Sequence, residues 1–317
     1  FNAGKRGQKE PKKGMLTRLV FLVPLVLLAN LYVRADKPDP WNQFRGPNGS
    51  GIRSDALIKI PSKGDLVWKT SVPFGLSSPV LSDDKIFLTA IEEGRLVTLA
   101  LERKSGKVLW KKKAPETEIE KFHESSSPAT PTPFVDQDRL FVYFGSFGLL
   151  CYDHDGKEIW KKPIPTPKSL YGTSSSPISH GDLLILVVDD DANLPNSRVS
   201  RSRILALRKK DGSTAWERPR PFHRSGWSTP TIWEHDQGKE LVVLGNGSLR
   251  GYSLPEGEEK WQVDGFSRET VARPLAGKNF VFASGSKLGG SADLKTDPDP
   301  FWKAVISFDS NGDGRLE

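Results

Sequence analysis

Five tryptophans in this chain each stand four residues after a glycine: Gly64/Trp68, Gly106/Trp110, Gly156/Trp160, Gly212/Trp216 and Gly257/Trp261. They use five of the nine tryptophans, and successive ones lie 42 to 56 residues apart. Self-similarity at such a period means one supersecondary unit copied along the chain, each copy burying its apolar surface against its neighbours. That constraint outweighs any reading from composition.

The parts between tryptophans also recur. A Ser-Pro or Thr-Pro opens each unit at Ser78-Pro79, Ser127-Pro128, Ser176-Pro177 and Thr229-Pro230, with Arg273-Pro274 as a weaker fifth; proline at a strand's first residue costs no ladder hydrogen bond. Short β-branched and aromatic runs follow: Ile86 to Leu88, Leu140 to Tyr143, Leu183 to Val188, Leu241 to Leu244, and Phe280 to Phe282. A third run, such as Leu96 to Leu101 or Arg203 to Leu207, leads through the glycine turn into the tryptophan strand. Glycine supplies the positive φ that such a turn needs. Four short strands per unit predict an all-β chain of propeller blades, with each indole burying about 150–250 Å² between neighbouring sheets. Ligands of propellers usually sit in the central channel, so these outer tryptophans are expected to be structural.

Trp68 precedes any complete unit, so its partner strands are expected from the C-terminal side, closing a ring. About five units are visible, and seven or eight blades are expected in the full protein. The boundaries read as an N-terminal leader at 1–35, an extended lead-in at 36–56, a partial propeller at 57–298 and a separate motif at 299–317.

The formal charge of +7 does not point to nucleic acid, because residues 1–35 carry +6 of it and the rest only +1. Those 35 residues have a basic start, an apolar run from Leu19 to Leu31, and Val33-Arg34-Ala35, which fits the small-x-small cleavage rule. Cleavage after Ala35 and a periplasmic or extracellular location are expected, with no stable membrane anchor afterwards; an uncleaved anchor is the alternative reading of the same run. Met15, the only methionine, stands just before this pattern, so residues 1–14 read as extra sequence ahead of the true start. Cys151 is the only cysteine, which excludes an internal disulfide and any Cys-x-x-Cys site.

Residues 76–261 resemble the pyrroloquinoline quinone (PQQ)-type propeller repeat, Ala-x-Asp-x-x-Thr-Gly-x-x-x-Trp. Ala100 to Trp110 departs from it only by Glu102 for Asp and Ser105 for Thr; Ala206 to Trp216 and Gly251 to Trp261 are looser copies. Trp41-Asn-Gln-Phe-Arg45-Gly46-Pro47 resembles the opening of secreted bacterial members of that superfamily. The resemblance implies one of two roles. The first is an exported noncatalytic scaffold presenting loops to a protein or polysaccharide partner, as in the barrel-assembly lipoprotein propellers, although their lipid-bearing cysteine is absent here. The alternative is a dehydrogenase oxidising an alcohol or sugar with PQQ and calcium. Many alcohol-oxidising members place a vicinal cysteine pair against the cofactor, and one cysteine cannot form it. No residue here matches a catalytic signature.

The sharpest chemical motif is FDSNGDGRLE. Asp309, Asn311, Asp313, Arg315 (through its carbonyl) and Glu317 take positions 1, 3, 5, 7 and 9 of a calcium loop, with Gly314 at the sharp turn. One more blade hairpin is the competing reading. The flank favours calcium: Phe301, Val305 and Phe308 form a helical stripe after the Asp299-Pro300 start, as in the entering helix of an EF-hand. Loop position 12 would be residue 320, so weak calcium binding is expected of residues 309–317 by themselves. Three other features suggest no chemistry: Gly46 to Gly51 reads as a flexible lead-in rather than a phosphate cradle, Asp189-Asp190-Asp191 as a solvated loop, and the five histidines lack metal-site spacing.

Overall fold

The computed structural model describes residues 41–52, 65–192, 200–285, 303, 306 and 307. Four antiparallel four-stranded sheets follow one another, each wound in chain order. The first holds β1 (Val80–Leu81), β2 (Lys85–Glu92), β3 (Arg95–Glu102) and β4 (Val108–Lys113). The second holds β5 (Phe134–Val135), β6 (Arg139–Phe144), β7 (Gly148–Asp153) and β8 (Glu158–Pro163). β9 (Ile178–His180), β10 (Leu183–Val188), β11 (Arg203–Arg208) and β12 (Thr214–Pro219) make the third. β13 (Thr231–His235), β14 (Gly238–Gly245), β15 (Ser248–Ser253) and β16 (Glu259–Asp264) make the fourth, and β17 (Leu275–Ala276) with β18 (Val281–Phe282) starts a fifth. These are the expected blades.

The apolar runs are unbroken because both faces of the second, third and fourth sheets are covered. In β6, Leu140, Val142 and Phe144 pack with Val80 and Phe87 of the first sheet. The alternate residues Phe141 and Tyr143 pack with Leu184, Leu186 and Leu207 of the third. Ile185 and Ile204 then meet Leu241 and Val243 of the fourth. Successive side chains of a strand point to opposite faces, and each buried Leu or Phe contributes about 1.5–3 kcal/mol. The fourth strands are the outer edges, with exposed residues on half or more of their positions.

Four of the five outer tryptophans reach the next unit. The Trp68 indole N–H donates to the Arg103 carbonyl at 3.0 Å, Trp110 to His154 at 3.0 Å, Trp160 to Lys209 at 2.9 Å, and Trp216 to Pro255. In every case the acceptor lies in the turn that carries the next motif glycine. Gly106, Gly156, Gly212 and Gly257 have φ of 71°, 81°, 71° and 74°, and an added Cβ would fall within 2.3, 2.9, 2.7 and 2.7 Å of the preceding unit's indole. The motif glycine therefore answers two needs, the turn's left-handed backbone and room for a flat ring. Trp261 instead bonds the Glu240 carboxylate of its own sheet at 2.5 Å. Gly64 lies outside the described residues.

A second inter-unit link runs along the short first strands. The Ser78 N–H donates to Thr132 Oγ1 at 3.0 Å, the Thr132 N–H to Ser176 Oγ at 2.9 Å, and the Ser176 N–H to Thr229 Oγ1 at 3.0 Å. This corrects the unit boundary read from sequence: the second sheet opens at Thr132-Pro133, not Ser127-Pro128. Ser127 instead caps a local turn, its hydroxyl accepting from the Ala129 N–H.

Residues 41–49 are held, not flexible. The Trp41 carbonyl accepts from Leu81 N–H and the Asn42 carbonyl from Val135 N–H. Asn48 exchanges bonds with the Ile232 N–H and carbonyl at 3.1 and 2.6 Å, and Arg273 donates to the Phe44 carbonyl at 2.9 Å. One nine-residue segment thus touches the innermost strands of the first, second and fourth sheets and the residue opening the fifth unit.

Candidate functional site

The connections from each outer strand back to the next inner strand share one face with the β6–β7, β10–β11 and β14–β15 turns. Charged side chains are buried there. Glu120, in the β4–β5 connection, is 7 % exposed. Its Oε2 accepts from Thr173 Oγ1 at 2.7 Å, while its Oε1 has no hydrogen-bond partner. Burial pushes this carboxyl up to about 7, against the lowering effect of Thr173. Gly145 leaves the space: a Cβ there would lie 2.2 Å from the Thr173 hydroxyl and 2.6 Å from Glu120 Oε1.

The three aspartates at the end of β10 are buried as well, which corrects the reading of a solvated loop. Asp189 pairs with Arg220, their side chains 4 % and 2 % exposed. Asp190 pairs with Arg201 at 2.8 Å and accepts the Lys168 N–H. Asp191 accepts the Ser225 N–H at 2.7 Å and its hydroxyl at 2.9 Å, with Arg224 at 3.8 Å. Three arginines from two segments answer three consecutive carboxylates. Burial outweighs the Arg220 charge and raises Asp189 to about 6; the desolvation of two buried charges offsets much of their mutual attraction. Burial, then Arg220 and Arg250, pushes His223 down to about 2, so its ring is neutral.

A PQQ group brings carboxylates and a bound cation. Among the described residues no three His, Cys, Asp or Glu gather as a metal site, so they do not fit the cation. Gly245 gives Arg220 its room, a Cβ there falling 2.6 Å from Nη2, and the Nε and Nη2 of this buried guanidinium have no hydrogen-bond partner. Cys151 is buried in β7, opposite Trp160, and burial raises its thiol to about 12.

The tryptophan motif residues stand at the outer edges, away from this face. The calcium-loop residues Asp309, Asn311, Asp313, Arg315 and Glu317 lie outside the described residues. Just ahead of them Lys303 and Ile306 are helical, and the Ser307 N–H donates to the Lys303 carbonyl at 3.2 Å. Sequence reasoning missed Glu120 and the aspartate–arginine pairs; the cue available was Gly145 and Gly245, each at the end of an apolar strand.

A family model described as outer membrane protein assembly factor BamB matches residues 50–130 and 99–312. The 1-butanol dehydrogenase (quinone) of Thauera butanivorans is 31 % identical over 219 residues, 57 % of this chain and 32 % of that protein. The polyvinylalcohol dehydrogenase of a Pseudomonas species is 21 % identical over 299 residues, 83 % of this chain and 44 % of that protein. The chain thus spans less than half the length of these curated relatives. Among solved structures, quinohemoprotein alcohol dehydrogenase from Comamonas testosteroni superposes with a TM-score of 0.51 at 12 % identity, over 78 % of this chain and 45 % of that one, which bears on fold alone. With the two matched stretches together running through all four complete sheets, the chain belongs to the PQQ-type repeat family described as outer membrane protein assembly factor BamB.

Proposed function

We propose that this chain is part of a quinone-linked dehydrogenase acting on an alcohol. The supporting observation is that both curated relatives are dehydrogenases named for alcohol substrates, which favours this reading over the noncatalytic scaffold. The described sheets then act as the wall of the ring, of seven or eight blades in all, and the ligands of PQQ and its cation lie outside the described residues. Calcium at Asp309, Asn311, Asp313, the Arg315 carbonyl and Glu317 is part of the same proposal. So is export with cleavage after Ala35; among the described residues no helix is long and apolar enough to cross a membrane.

The test is to incubate the purified full-length protein with PQQ and calcium, remove free cofactor by gel filtration, and assay dye reduction with 1-butanol and polyvinyl alcohol. Retained quinone absorbance with turnover is expected. Absence of both overturns the reading in favour of an exported noncatalytic scaffold binding a protein or polysaccharide. The observation favouring that second reading is that segment 41–49 is bonded to the first strands of three sheets and that Asp189, Asp190 and Asp191 are each paired with an arginine.

A further inference from the structure

On the face opposite the buried charges, the first residue of the second strand bridges two pairs of neighbouring units. Lys85, opening β2, reaches Asp155 in the next unit's outer turn at 2.8 Å. Arg139, opening β6, donates to the Lys209 and Lys210 carbonyls in the next outer turn, both at 2.8 Å. The residue opening β10 is Leu183, which has no polar arm to send to the turn at Pro255. The bridge of the kind made by Lys85 and Arg139 is therefore missing between the third and fourth units, which meet there through Trp216 and Arg218 bonding Pro255 and Gly257, and a cleft of about 640 Å³ opens beside them.

Its wall is apolar, from Leu183, Ala215 and Pro255, and its rim carries Arg208, Lys210 and His180. Among the described residues neither Arg208 nor Lys210 has an ion pair, although both charges act on the exposed Asp211 carboxylate, whereas Lys209 between them is held by Asp136 at 3.1 Å. Asp182 is the one carboxylate in the lining, against three Lys and Arg. The volume falls in the range of about 300–1,000 Å³ typical of small-ligand sites. An occupant must offer an apolar face to the wall and an anion to the rim.

We propose that this cleft binds a uronate-bearing oligosaccharide. A sugar ring carries C–H groups on one face and hydroxyls around its edge, so it can lie on Leu183 and Pro255 while its carboxylate meets Arg208 and Lys210. Charge-assisted hydrogen bonds to the carboxylate supply the selectivity, and His180 can exchange a hydrogen bond with a ring hydroxyl. The site is independent of the dehydrogenase reading.

The experiment is calorimetric titration of the full chain with trigalacturonate, its methyl ester and tetraglutamate. Saturable binding of trigalacturonate is expected, with the ester and the peptide each at least about ten-fold weaker. Arg208→Ser with Lys210→Ser should weaken trigalacturonate by a similar factor. Leu183→Arg should abolish binding by restoring the missing bridge, without lowering the melting temperature. No binding by the folded wild-type chain, equal binding of the ester, or binding untouched by the Arg208/Lys210 exchange overturns the site; equal binding of tetraglutamate overturns the saccharide assignment. The rim exchange keeps the proposal testable should Leu183→Arg fail to fold.

Discussion

Gly212→Ala separates the two demands placed on the motif glycine. At φ of 71° a Cβ crowds the local backbone, which costs about 1–2 kcal/mol. The same Cβ would sit 2.7 Å from the Trp160 ring. Trp160 is 9 % exposed and packed among Phe141, Leu205 and Leu207, so its ring has nowhere to retreat without disturbing the sheet behind it. Overpacking of this kind adds about 1–3 kcal/mol, giving a total of about 2–5 kcal/mol for the substitution. Gly94 provides the reference: its φ is 73°, and nothing lies within 4 Å of its added Cβ, so Gly94→Ala should show the backbone cost alone. Urea unfolding followed by far-UV circular dichroism measures both. In a Trp160→Ala background the steric part of Gly212→Ala should vanish, leaving a coupling of about 1–3 kcal/mol in the double-mutant cycle. A Gly212→Ala cost equal to that of Gly94→Ala, or the same cost with and without Trp160, would refute the argument that the glycine makes room for the indole.

Glu120, held at about 7 against an ordinary 4.5, binds its proton more tightly folded than unfolded. Its contribution is therefore complete below about pH 4.5 and is lost as pH rises through 7, at most about 3 kcal/mol. Glu120→Gln should flatten the fall in melting temperature between pH 5 and 8, and an unchanged slope would show that another group carries it. Thr132→Val removes the acceptor of the Ser78 N–H and should destabilise by about 1 kcal/mol in urea unfolding, while Ser127→Val leaves that inter-unit bond intact. Asn48→Ala breaks both bonds to Ile232 at a cost of about 1–3 kcal/mol, and trypsin should then cut after Arg45 faster than in the wild type.

The sheets were legible because their signals are local: a glycine turn, an apolar run and an indole sit within one unit, at a spacing a reader can measure. The second unit's start was misplaced because Ser127-Pro128 and Thr132-Pro133 stand five residues apart, and only the hydroxyl bonded by the Ser78 N–H distinguishes them. Asp189 to Asp191 read as solvated because three adjacent carboxylates ordinarily face water; their arginines come from residues 201 to 224, a separation no periodicity reports. The same holds for residues 41–49, whose partners at Ile232 and Arg273 stand more than 180 positions away. Leu183 looked like any strand residue, and its significance appears only beside Lys85 and Arg139.

Four of the five indole bonds run one way, each ring gripping the unit after its own, as roof tiles overlap in a single direction. The run is interrupted at the fourth sheet, whose Trp261 turns back onto Glu240, while the fifth unit is met instead by Trp233, its indole N–H donating to the Gly277 carbonyl at 3.2 Å. A seam made without the outer ring's bond is the one at which the described sheets should first part when the chain is pulled.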